Sequence, residues 1–293
     1  MTEELQTRSK TISQILGWNR TSYVMMSTFV LLLFIIGYVW WPLVEEYLST
    51  YNPELPFWMQ FDWLLFSIFL VMSLLLMAKA DIKKDLPIIL VGLAGGLVIE
   101  SWGTQTELWF YYTNERPPLW IIPAWPIASL SIDRLFRLLH TLSIKIPEQI
   151  IKIGYWLTFI GFFIYMLYFV WPTFDKSLTI MALFLCAFLI LTPVNHRSML
   201  ITFLAGSGLG YFLELWGTTR YCWTYYTFQT PPFFAVLAHG MAAVAFWRVV
   251  QLFWIFEPKV NLFLRKNFFM IKTKSTVFRS TVLHKKEDKE FYS

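Results

Sequence analysis

The chain has 293 residues, of which 57% are hydrophobic and 15% charged, against about 25% charged in a soluble globular domain. The apolar residues are gathered into long runs, which excludes a soluble single-domain enzyme and makes the lipid bilayer the first partner. The net charge of +5 would suit a nucleic-acid surface, but the basic residues sit in connections and in the tail, so membrane topology accounts for them and no nucleic-acid partner is expected.

In chain order, a polar and partly basic leader, 1–22, precedes the first apolar run. That run is long enough to remain in the membrane and does not read as a cleavable signal. Runs of about 18 or more apolar residues predict eight spans: 23–43, 61–79, 86–103, 118–139, 151–171, 177–194, 199–217 and 232–255. A basic tail, 256–293, follows. The expected fold is therefore all-α, a polytopic transmembrane helix bundle. With the N-terminus inside, only Arg116, Lys176 and Arg220 of the 24 Lys and Arg fall on the outer side. The positive-inside rule then puts both termini in the cytoplasm, and the membrane is the plasma or inner membrane if the protein is bacterial.

Two stretches repeat. Glu100-Ser-Trp102-Gly103-Thr104 leads into Trp109, Tyr111, Tyr112, Thr113 and Pro117-Pro118. Glu214-Leu-Trp216-Gly217-Thr218 leads into Trp223, Tyr225, Tyr226, Thr227 and Pro231-Pro232. The offset is 114 without a gap, and ten of nineteen aligned positions are identical. A weaker match upstream pairs Val39-Trp40-Trp41-Pro42 with Phe169-Val170-Trp171-Pro172. An ungapped repeat dictates architecture, here two four-span units, 23–139 and 140–255. An even number of spans per unit makes them parallel, related by an axis along the membrane normal, with both motifs on the outer side.

Gly92, Gly96 and Glu100 are spaced by four, as are Gly206, Gly210 and Glu214, so each carboxylate continues a small-residue stripe and faces the bundle. An ionisable group there is expensive and usually has a task. Glu100 and Glu214 are candidate acid/base catalysts; alternatively each accepts hydrogen bonds from its own loop (Thr104 or Thr218, or the following tyrosines) and closes the turn. His239, aligned with Trp125, lies at a depth similar to Glu214 and is the third catalytic candidate, or else a packing residue. Trp102, Trp109, Tyr111, Tyr112, Trp216, Trp223, Tyr225 and Tyr226 are candidate ligand-binding aromatics, since ring faces stabilise cations; an interfacial aromatic belt would contain them as well. Arg116 and Arg220 could pair with Glu100, Glu107 or Glu214. His140 and His196 read as structural. Cys186 and Cys222 are too sparse for a disulfide framework or metal site; no metal or cofactor motif is present.

A Glu, two residues, a Gly, a spacer and an aromatic-Tyr pair on a polytopic protein resembles the membrane proteins of carotenoid biosynthesis. The nearest are the carotenoid 1,2-hydratases, with the small membrane lycopene cyclases more distant. The resemblance covers 100–118 and 214–232; Trp-Gly-Thr and Pro-Pro depart from it. It implies a protonated Glu delivering H⁺ to a terminal double bond of a lipid-soluble polyene, with Trp and Tyr stabilising the cation. Two other classes stay open: a carrier of a small cationic or proton-coupled solute built from parallel repeats, and a non-catalytic membrane scaffold. The oligomeric state is open too.

Overall fold

Helices make up most of residues 16–256, the part of the chain that the computed structural model describes; most of the leader and, beyond Phe256, the basic tail lie outside the described residues. In order they are α1 (Arg20–Val39), α2 (Trp41–Ser49), α3 (Trp63–Met77), α4 (Ile82–Gln105), α5 (Ala124–Ser143), α6 (Glu148–Val170), α7 (Ser177–Leu191), α8 (His196–Thr219) and α9 (Phe233–Phe256). A one-turn helix, Phe57–Gln60, precedes α3. Side chains cap four of the starts: Asn19 accepts from the Ser22 amide, Asp62 from Leu65, Asp81 from Lys83 and Asn195 from Ser198, each satisfying an amide that the helix cannot.

Helices lie in all eight intervals read from hydropathy, but they differ in their fitness to cross a bilayer. Helices α1, α4, α6 with its terminal turn, α8 and α9 are long and apolar enough. α3 and α7 are apolar but have 15 residues each, about 22 Å of helix against a hydrocarbon core of about 30 Å. α5 carries Asp133, Arg134 and Arg137.

Three boundaries move from their sequence positions for identifiable reasons. α1 stops at Val39 rather than 43, because Pro42 cannot donate a backbone bond and sits instead in the first turn of α2. α4 begins at Ile82 rather than 86: the charges that ended the apolar run are absorbed, Asp81 as the cap and Asp85 by Arg134. α5 starts at Ala124, after turns around Pro118 and Pro123, and runs to Ser143.

Two short strands interrupt the all-α pattern. β1 (Trp109–Tyr111) and β2 (Trp223–Tyr225) pair antiparallel, with Phe110 opposite Thr224, its counterpart 114 positions later. The same interval recurs in the helices. α3 and α7 start 114 residues apart and have equal length, as do α4 and α8, of 24 residues each.

α8 is the central helix, packed against α3, α5 and α6, with Gly206 and Gly210 directly under His239 and Gly240 of α9. Phe159, Phe162, Phe203 and Phe234 are fully buried, and Phe169 stacks on Phe234 at 4.0 Å between centroids. Such contacts hold membrane helices together where lipid is as apolar as the side chains. Phe34, Leu157 and Phe184 are exposed on the outside of the bundle.

At the end of the bundle away from the motifs lies a buried ion pair. Arg134 Nη2 donates to both Asp85 oxygens at 2.8 and 2.7 Å, and Nε donates to the Ala78 carbonyl at 2.9 Å. Arg248, 114 positions later, donates to the carbonyl of Thr192, the counterpart of Ala78, at 2.6 Å. Each arginine thus satisfies a carbonyl at the C-terminal end of a short helix.

Candidate functional site

Glu100 lies eighteen residues into α4, about 27 Å from its start, so it reaches the motif end of the bundle. It is 3% exposed and Glu214 2%. A carboxylate so buried needs its lone pairs filled, and the motif supplies the donors. Trp109 Nε1 donates to Glu100 Oε2 at 3.1 Å and Tyr111 Oη to Oε1 at 2.9 Å. Trp223 Nε1 and Tyr225 Oη hold Glu214 in the same way, both at 2.9 Å.

The residues between make this geometry possible. A Cβ on Gly103 would overlap the Trp109 indole, and one on Gly217 the Trp223 indole; only glycine lets the ring lie against the helix. Thr104 and Thr218 donate not to the carboxylates but to the backbone carbonyls of Glu100 and Glu214, both at 2.6 Å. The strand alternation turns Trp109 and Tyr111 to one face, where both reach the same carboxylate.

The remaining motif aromatics tie the motif to other helices. Trp102 Nε1 donates to Thr179 Oγ1 of α7 at 3.3 Å, and Trp216 Nε1 to Asp62 Oδ2 at the cap of α3 at 2.9 Å. Tyr112 donates to the carbonyl of Val39 at the end of α1, and Tyr226 to that of Phe169 near the end of α6. All eight sequence-predicted aromatics are therefore brought to one end of the bundle, with their polar tips engaged by protein.

The two carboxylates differ in their third neighbour. Trp125 Nε1 donates to Glu100 Oε1 at 3.1 Å, reaching it across Gly96, where a Cβ would strike the indole. At the counterpart position, across Gly210, stands His239. Its Nδ1 lies 3.6 Å from Glu214 Oε1 and 3.0 Å from the Ala235 carbonyl. A carbonyl only accepts, so this contact puts a proton on Nδ1 and leaves Nε2 as the basic nitrogen of the neutral ring. Among the described residues, Glu214 is the buried carboxylate with an imidazole beside it. Carboxylate plus imidazole pairs two groups that can exchange a proton, whereas at Glu100 the indole only donates and the carboxyl stands without a second basic group.

Arg116 pairs with Glu107 at 2.9 Å and Arg220 with Asp62 at 3.1 Å; among the described residues neither reaches Glu100 or Glu214. Cys222 is buried behind the second motif, and burial pushes its thiol up to about 12, so it stays protonated and unreactive. Among the described residues no cluster of His, Cys, Asp and Glu could hold a metal ion. Sequence reading passed over Asp62 and the direct role of Trp125. An acid before an apolar helix is a cap signal, and Trp125 was already visible as the residue aligned with His239. No protein-family model, no curated protein and no solved structure matches the chain.

Proposed function

We propose that the protein is a multi-pass membrane enzyme that protonates a lipid-soluble polyene of the carotenoid or isoprenoid class, leading to hydration or cyclisation. In this reading eight spans form two parallel four-span halves with both termini cytoplasmic. The equal lengths and constant 114-residue spacing of α3 and α7 and of α4 and α8 support the duplication, as does the pairing of Phe110 with its counterpart Thr224. α3, α5 and α7 complete the eight by lying among longer neighbours.

The observation that carries the reading is the Glu214–His239 pair, 3.6 Å apart at the buried end of α8. Glu214 in its acid form gives its proton to the less substituted carbon of a terminal C=C bond. The π electrons form the new C–H bond, and the adjacent carbon becomes a tertiary cation. The cation is stabilised by aromatic faces, among them Trp125, stacked on His239, and Trp223 and Tyr225, which hold Glu214. Water then adds and loses a proton to His239, or a neighbouring double bond attacks and a ring proton is lost to the same base. The proton returns to Glu214 in either case.

The test is pigment analysis of hosts that make linear carotenoids. The wild-type chain should yield a product heavier by one water or an isomeric cyclised one, and Glu214→Gln should yield neither while accumulating in the membrane. Unchanged pigments across several linear carotenoids would overturn the reading. A second reading, a non-catalytic scaffold, is favoured by Glu100, whose carboxylate is held by three donors. In that case every motif variant should alter stability alone.

A further inference from the structure

One segment breaks the correspondence between the two motif-bearing regions. The Trp41-Pro42 and Trp171-Pro172 pairs are 130 positions apart, whereas the helices that follow them, α3 and α7, are 114 apart. The first region is thus 16 residues longer between these landmarks. Where the second has a single 3₁₀ turn, Trp171–Thr173, the first has α2 and the one-turn helix Phe57–Gln60.

The extra chain forms a loop with a fixed polar base. Gln60 Oε1 accepts from the Asn52 amide at 2.7 Å, and Gln60 Nε2 donates to the carbonyls of Asn52 and Leu55 at 2.8 and 3.1 Å. The Asn52 side chain accepts from the Glu54 amide at 2.9 Å, and Trp63 Nε1 donates to the Trp58 carbonyl at 2.7 Å. Tyr47 donates to the Gln60 carbonyl. Against this pinned backbone the tip presents three consecutive apolar side chains to the outside: Phe57 at 61%, Trp58 at 65% and Met59 at 67% exposure. A fixed loop with an apolar tip is costly in water and favourable at a lipid boundary, where Trp is enriched.

Position and charge name the occupant. The loop leaves α1, an apolar helix of membrane-spanning length, and re-enters the bundle through α3. It is tied to the motif end by the bond from Tyr112 to Val39 and by the Arg220–Asp62 ion pair. Residues 41–61 contain Glu45, Glu46 and Glu54 and no Lys or Arg, so attraction to anionic headgroups cannot hold it. We propose that Phe57, Trp58 and Met59 form a finger inserted into the leaflet at the motif end of the bundle, held by apolar insertion and indifferent to lipid charge. The inference rests on the membrane reading and not on the polyene chemistry.

The test uses the full chain with Cys186→Ala and Cys222→Ala, carrying Trp58→Cys or, separately, Met59→Cys, labelled with an environment-sensitive nitrobenzoxadiazole dye. The labelled chains are reconstituted into phosphatidylcholine vesicles with or without phosphatidylglycerol, after their thermal unfolding has been matched to the parent. Blue-shifted emission at both positions, quenched by lipids with nitroxides high on the acyl chain and equal in the two vesicle types, is the expected result. Water-like emission overturns the finger. So does blue-shifted emission that lipid nitroxides fail to quench, which would mean that another protein surface covers the loop. Quenching that appears only with phosphatidylglycerol overturns the charge-indifferent mode of insertion.

Discussion

Trp125 and His239 stand 114 positions apart in the chain and stack on one another, with ring centroids 5.8 Å apart and planes inclined by 13°. Each leans toward the carboxylate of its own motif, Trp125 on Glu100 and His239 on Glu214. An indole N–H only donates, so Glu100 is clamped. An imidazole donates through one nitrogen and accepts through the other, so the second carboxylate has a proton-exchanging neighbour that the first lacks.

His239→Trp should therefore turn the second arrangement into a copy of the first. Gly210 lies beneath His239 as Gly96 lies beneath Trp125, so the larger ring has the same kind of space, and its Nε1–H can reach Glu214. The variant is expected to accumulate and to unfold thermally in detergent close to the wild type, yet to lose the product of the wild-type chain. A variant that keeps full product would remove His239 from the mechanism.

The two glutamates should separate under one substitution. Glu100 accepts from Trp109, Tyr111 and Trp125, and Glu214 from Trp223 and Tyr225. Gln keeps one acceptor oxygen and turns an NH₂ toward groups that themselves donate. Leaving a buried polar group unsatisfied costs about 1–3 kcal/mol, so Glu100→Gln should lower stability toward the upper part of that range and Glu214→Gln by less. Activity should be lost fully only in Glu214→Gln. Thermal unfolding alongside product analysis separates the two effects.

Much of this site is legible in the sequence, and what is missing has a common cause. Glycines at four-residue spacing behind each Glu reveal the inward face, because helix periodicity is local. The strands escape notice because Trp109–Tyr111 finds its partner 114 residues away, and three residues carry too little alternation to announce a sheet. The pairing of Asp85 with Arg134 is hidden because hydropathy weighs each charge singly. Across 49 residues they neutralise one another, which allows α4 to start earlier than its apolar run. The fates of Trp102 and Trp216 were equally hidden: each indole leaves its own motif for the start of a distant helix, α7 or α3.

The Asp85–Arg134 pair supplies a third prediction. Removing one partner of a buried pair strands a charge, at about 3–5 kcal/mol. Asp133 still contacts Arg134 Nη1 at 2.5 Å, so Asp85→Asn should fall near the lower bound. Position 199, the counterpart of 85, is a fully buried Met. The double variant Asp85→Met with Arg134→Met should accordingly recover most of the loss, because an apolar pair of similar volume often replaces a buried ion pair without penalty. Chemical or thermal unfolding of the single and double variants reads this directly, and a double variant weaker than both singles would contradict it.

The glycines of the two motifs are placed by shape, and alanine tests that. A methyl on Gly217 would occupy space now held by the Trp223 indole, and the ring is pinned between the helix and Glu214. It can move only by giving up its hydrogen bond. Overpacking of this kind costs about 1–3 kcal/mol, so Gly217→Ala and Gly103→Ala should each destabilise by at least that much. Gly208 lies in the same helix as Gly217 with nothing within 4 Å of its added Cβ. Gly208→Ala should instead be neutral or stabilising, by up to about 1 kcal/mol from helix propensity. Because the three substitutions add the same methyl to helical backbone, opposite signs in thermal unfolding isolate the contact with the indole as the cause. Equal effects at all three positions would mean that the indoles are free to move aside.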